Sequence, residues 1–185
     1  VLLTEKYTIS YHMEAFEKMA AMLAQYNDRC IFSFVEMYKK LETNMPELIL
    51  LSEKDKERLA QGLGAIAKKY GILIQSCGSN DDFTKYGIYG SGCITLDILG
   101  KANHIAWKAL KHKGMRKGCH CIESRDIGAY DTCLNGCKYC YANTNPQKAQ
   151  SNYKLHDPAS ALLLGHVKPE DTILQGVQKS FLVKK

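Results

Sequence analysis

The 185-residue chain has no acidic residue between Asp97 and Glu123, although its net charge is only +6. Lys101, Lys108, Lys111, Lys113, Arg116 and Lys117 all fall in that gap. Such a run is ordinarily a solvated, Lys-rich face, and it also suits an anionic ligand or nucleic acid. Trp107 is the only aromatic within it, so the interleaved rings on which bases stack are missing. No apolar run approaches the roughly 20 residues needed to cross a bilayer, so we expect no membrane partner. The start at Val1 shows no basic n-region or apolar h-region, so no secretory signal is visible and a cytoplasmic location is expected. Internal repeats and low-complexity tracts are also absent. His104, His112, His120, His156 and His166 show no metal-ligand spacing among themselves, and no nucleophile–base pair or carboxylate dyad stands out.

The first half is patterned as α/β. Met13, Phe16, Met19, Ala20, Leu23 and Tyr26 recur at helical spacing over residues 11–26, with Ser10 as the N-cap. Residues 30–35 form a short apolar run rich in β-formers, suited to a strand buried on both faces. Ser52-Glu53-Lys54-Asp55 reads as a capping box, followed by Leu59, Leu63, Ile66 and Tyr70 on one helix face and Gly71 as the stop. Residues 72–76 read as a second strand. Helix and strand alternate, so the strands should pair in parallel, as part of a wound sheet or a (β/α) barrel.

Beyond Cys77 the pattern fades. Residues 78–92 read as a loop, 93–96 as a short strand, 105–110 as a weak helix and 170–183 as a last helix. We therefore expect an α/β core over residues 1–97 and an irregular cysteine-rich metal-binding lobe and tail over 98–185. Residues 114–158 hold five cysteines and little periodicity, so something other than an apolar core should order them. A metal would do so, because its binding free energy becomes folding free energy.

Three of the eight cysteines, Cys133, Cys137 and Cys140, form C-x3-C-x2-C around Asn135 and Gly136. A short turn of this kind can bring its sulfurs round one centre, and thiolates favour iron–sulfur clusters and zinc. Cys30 reads as an inert core thiol. Cys77 follows a strand at the end where α/β folds place their sites, and Cys93 lies in a Gly-rich loop. Cys119 and Cys121 make a C-x-C pair with three open assignments. They belong to a second centre with Cys77 and Cys93, or one of them is a fourth ligand to the triplet. Alternatively, both share one zinc with Cys137 and Cys140.

The triplet, with Tyr139 just before its last cysteine, resembles the cluster motif of radical S-adenosylmethionine (SAM) enzymes. More widely, residues 121–133 with Tyr139-Cys140-Tyr141-Ala142-Asn143 resemble the C-terminal part of a bacterial family, domain of unknown function 1848. Ser33-Phe34-Val35, Tyr86-Gly87-Ile88 and His156-Asp157-Pro158 resemble it as well. The family has sequence upstream that looks like the start of an α/β barrel, so this chain reads as the C-terminal portion of a longer protein.

The resemblance implies a [4Fe-4S] cluster held by Cys133, Cys137 and Cys140, with one iron open to SAM. In that scheme Tyr139 packs near the adenine, and Asp126 or the basic run orients the amino-carboxylate. A radical SAM-like oxidoreductase or transferase on an unknown substrate, fed by an electron donor, is one expectation. The other is a non-enzymatic iron–sulfur or zinc protein whose centre orders the lobe or serves electron transfer and redox sensing. Ser79, Thr95 and Asn135 depart from the family pattern and leave the triplet intact.

Overall fold

The structure is a computed structural model, and it describes residues 1–114, 118–177 and 180–183. Its elements in chain order are α1 (Ile9–Leu23), β1 (Arg29–Phe32), α2 (Lys39–Asn44), α3 (Glu53–Lys69) and β2 (Leu73–Ser76). A 3-10 turn (Thr84–Tyr86), β3 (Ile88–Gly90), α4 (Leu96–Asn103) and α5 (Pro146–Lys154) follow. The chain divides into two compact units. Unit 1 comprises Val1–Met37, Glu47–Ser124 and Phe181–Lys185, and unit 2 comprises Tyr38–Pro46 and Arg125–Ser180.

Unit 1 is α/β, with a three-stranded parallel sheet of order β1-β2-β3. Arg29 to Phe32 lie opposite Leu73 to Ser76, and Ile74 to Ser76 opposite Ile88 to Gly90. Phe16 and Ala20 of α1 join Leu59, Ala60, Leu63 and Ala67 of α3, with Ile72, Ile74, Phe83 and Ile88, in one apolar core. Helix α3 begins as its sequence predicts: Ser52 Oγ accepts the Asp55 amide at 3.2 Å, and the Asp55 carboxylate accepts the Ser52 amide at 3.3 Å. Gly71 ends it at φ +68°, which a side chain would resist.

Several expectations are corrected. The cap of α1 is Thr8, whose hydroxyl accepts the Tyr11 amide, and not Ser10. Residues 93–96 are not a strand, because Thr95 caps α4 by accepting the Ile98 amide. The third strand lies inside the stretch read as a loop: it is three residues long, too short for a period, and is specified by pairing with β2 and by burial of Ile88. Residues 105–110 form no helix, and Trp107 instead bridges Leu182 in an antiparallel pair. The described residues of 170–183 are not helical, since Ile173 and Val177 lie exposed with no core to cover them. Gln178 and Lys179 of that stretch lie outside the described residues.

Unit 2 contains α2 and α5, neither of which the apolar pattern revealed. Asn145 caps α5 through the Lys148 amide at 3.0 Å, and Pro146 supplies its first residue. Among the described residues no helix is long and apolar enough to cross a membrane.

Candidate functional site: two sets of cysteines

None of the eight cysteines is in a disulfide. In unit 2 the triplet lies on one short loop, with Cys133 and Cys137 exposed and Cys140 half-buried. Gly136 takes φ +62° just before the second thiol, and the Cys140 amide donates to the Cys137 carbonyl at 3.0 Å, so the loop turns tightly between the second and third.

What holds this loop is a set of side chains that its cysteine pattern does not announce. Asp131, only 2% exposed, adopts φ +55° two residues before Cys133. Its carboxylate accepts the Thr144 amide and hydroxyl, the Asn145 amide at 3.2 Å and the Lys148 ammonium at 3.4 Å. Burial pushes the Asp131 carboxyl up, but the Thr144, Asn145 and Lys148 donors outweigh it and hold the pKa at about 2. Its own amide donates to the Ala142 carbonyl at 2.8 Å, and its carbonyl accepts from Asn152 of α5 at 2.9 Å. The two ends of the cysteine loop are thereby joined.

The loop's carbonyls are held as well. Asn143 Nδ2 donates to the Cys133 carbonyl, and the Tyr38 hydroxyl donates to the Tyr139 carbonyl at 2.6 Å. Lys40 Nζ donates to the Cys140 carbonyl at 2.9 Å and to that of Asn143. Tyr38 stands at the N-terminal boundary of α2 and Lys40 in its first turn, so this short helix delivers both donors. Burial, and then the neighbouring Cys140 sulfur, raise the Tyr38 hydroxyl pKa above its ordinary value. All these bonds use backbone oxygens, which leaves the three sulfurs available to a ligand.

The other expected site residues fall as follows. Tyr139 is 54% exposed. Asp126 Oδ1 accepts the Gly128 amide at 2.8 Å in a local turn. In the basic run, Lys101 pairs with Asp97 at 3.2 Å and Lys113 with Glu123 at 3.5 Å. Arg116 and Lys117 lie outside the described residues.

Cys119 and Cys121 belong to unit 1. Cys121 is buried, and its sulfur lies 3.5 Å from that of Cys93. Burial, then Cys121 and Cys77, push the Cys93 thiol up to about 12. Of the C-x-C pair, Cys121 is the member whose sulfur meets another thiol within unit 1, that of Cys93. Among the described residues, no three His, Cys, Asp or Glu side chains are already grouped so as to hold a metal ion.

The residues that sequence reasoning missed are Asp131, Asn143, Thr144, Tyr38 and Lys40. The first three flank the triplet closely, and their turn-forming chemistry was the available signal. Tyr38 and Lys40 act from 101 and 100 residues away, where no local pattern points to them.

The fold and these sites define an α/β protein with two separate groups of thiols. The family described as Domain of unknown function (DUF1848) matches residues 1–142, and the chain belongs to it. No curated protein and no solved structure matches the chain.

Proposed function

We propose that the protein binds an iron–sulfur cluster through Cys133, Cys137 and Cys140. The observation that carries this reading is a loop of three thiols whose backbone is already fixed from outside, with the sulfurs left unengaged by that network. The donor set fits a [4Fe-4S] cluster, in which three thiolates hold three irons and the fourth iron is left to a small ligand. When bound, such a group supplies one-electron reduction. The motif points to SAM as the small ligand, and the reaction class is then a radical SAM-like oxidation or group transfer.

Chemistry favours a working site over a purely structural one. Asp131 and its donors give the loop a support of its own beside any that a bound metal would add. The Lys40 ammonium beside the Cys140 carbonyl places positive charge next to thiolates that must become anionic when they ligate. Tyr139, exposed within the loop, is available to stack on an adenine. Asp126 stands among the residues offered to an amino group. Zinc on the same three thiols is the competing occupant. The three-stranded sheet suits a segment of a larger wound sheet or (β/α) barrel.

Anaerobic reconstitution with iron and sulfide, followed by EPR of the reduced protein with and without SAM, tests this. A cluster signal that SAM alters, and that C133A/C137A/C140A abolishes, is expected. A spectrum indifferent to SAM would sink the SAM assignment, and stoichiometric zinc with no iron uptake would sink the cluster.

A further inference from the structure

A second group of thiols lies in unit 1, and the sheet explains how it forms. β2 and β3 are parallel with Ser76 opposite Gly90, so the chain leaves both strands in the same direction. The Cys77 amide donates to the Phe32 carbonyl at 2.9 Å and the Ser91 amide to the Ser76 carbonyl at 3.2 Å, which carries the pairing past the strand ends. Cys77 and Cys93 thus emerge from neighbouring strands at the C-terminal edge of the sheet. Ligand sites of open parallel sheets form at this edge.

The segment bearing the C-x-C pair closes on that edge. The Ile122 amide donates to the Ile94 carbonyl at 3.0 Å. A Cβ on Gly92 would lie 2.6 Å from the His120 carbonyl oxygen and 2.7 Å from the Cys121 amide nitrogen, so only glycine admits so close an approach. A Cβ on Gly118 would be 3.5 Å from the Gly78 carbonyl, which brings the chain beside Cys119 against the chain beside Cys77. Buried Gln75 fixes the Gly92 carbonyl at 3.0 Å and is itself held by Arg29 at 2.8 Å. The outcome is a Cys93–Cys121 sulfur separation of 3.5 Å at the sheet edge from which Cys77 also emerges.

That separation suits ligands better than a cross-link. A disulfide needs about 2.05 Å. Two thiolates on one tetrahedral zinc, at bonds of about 2.3 Å, stand about 3.8 Å apart. We propose that Cys77, Cys93, Cys119 and Cys121 bind one thiophilic divalent cation of the zinc class, at a site independent of the 133–140 loop. Rotation of the Cys77 and Cys119 side chains completes the ligand set, and each thiol that ligates releases its proton to solvent.

The C133A/C137A/C140A chain, purified free of metal and titrated anaerobically with Co2+, isolates this site from the one proposed above. One equivalent of Co2+ should produce thiolate-to-cobalt charge-transfer absorption, and Zn2+ should bleach it. Adding C93A/C121A in the same background should remove it. Absorption that never develops, or that survives C93A/C121A, overturns the proposal, as does isolation of a Cys93–Cys121 disulfide that binds no metal. Should that background not fold, thiol alkylation of the unmodified chain, mapped by mass spectrometry, provides the same decision. Zn2+ should then slow labelling of Cys77, Cys93, Cys119 and Cys121, and labelling that Zn2+ leaves unchanged at these four overturns it.

Discussion

The hydroxyl of Thr144 donates to the carboxylate of Asp131, lying 3.0 and 2.8 Å from its two oxygens, and the Thr144 amide donates to the same group. One buried acid thereby joins chain thirteen residues apart and encloses all three cysteines of the triplet. Asp131→Asn should weaken this clasp, because an amide that keeps its one acceptor oxygen on the Thr144 and Asn145 amides turns its NH2 donor toward the Lys148 ammonium and carries no charge to pair with it. The denaturation midpoint should fall, and reconstituted iron should be lost faster, while the apolar core of unit 1 stays intact.

The same residue sets a pH dependence. A folded pKa of about 2 lies below the ordinary Asp value of about 4, so the folded state binds fewer protons than the unfolded one in that window. The Asp131 contribution is therefore complete above about pH 4 and is lost as the pH falls toward 2. Denaturation midpoints across that range should drop less steeply in Asp131→Asn than in the unaltered chain. Parallel curves would show that the carboxylate is not the group responsible.

Tyr38→Phe and Lys40→Met remove the donors to the Tyr139, Cys140 and Asn143 carbonyls. Groups that orient ligands in this way typically contribute about 10–100-fold in metal affinity. Iron retention against a chelator should fall by that order in each variant, with circular dichroism unchanged. Retention equal to the unaltered chain would show that the triplet needs no such support.

Gly64→Ala tests the packing of α3. The added Cβ would meet the Tyr86 carbonyl oxygen at 2.1 Å, and a backbone oxygen cannot rotate away. Overpacking of this kind costs about 1–3 kcal/mol, readable in urea denaturation. No loss would mean that the turn over Thr84–Tyr86 yields freely.

Ser52→Ala removes the cap of the same helix. The expected destabilisation is about 0.5–2 kcal/mol, with Ser52→Thr retaining most of the stability. An unchanged midpoint for Ser52→Ala would show that the capping box contributes nothing in this setting.

The features legible in the sequence were local ones. Ser52 and Asp55 announce the start of α3 because a cap needs only residues three apart. Leu59 and Leu63 announce its buried face because helical period is a property of neighbours. C-x3-C-x2-C marks a loop of thiols for the same reason, and membership of the family matched over residues 1–142 follows from motifs written in order along the chain. The third strand escaped because three residues carry no period, and Ile88 becomes core only once β2 lies beside it. The helix expected over residues 170–183 failed for the converse reason, as a stripe of Ile173 and Val177 makes a helix only where something covers it.

Sequence by itself determined the alternating α/β order of the front of the chain, the capped third helix and the identity of the thiols. These depend on backbone preference and spacing, which act over a few residues. Tertiary structure decided which thiols meet. Parallel pairing carries Cys77 and Cys93 off adjacent strands, and the absent side chain of Gly92 lets Cys121 reach Cys93. It also decided that Tyr38 and Lys40 hold the carbonyls of a loop about a hundred residues distant. Contacts across such separations are chosen by how surfaces pack and where buried donors find acceptors, and no local spacing encodes that choice.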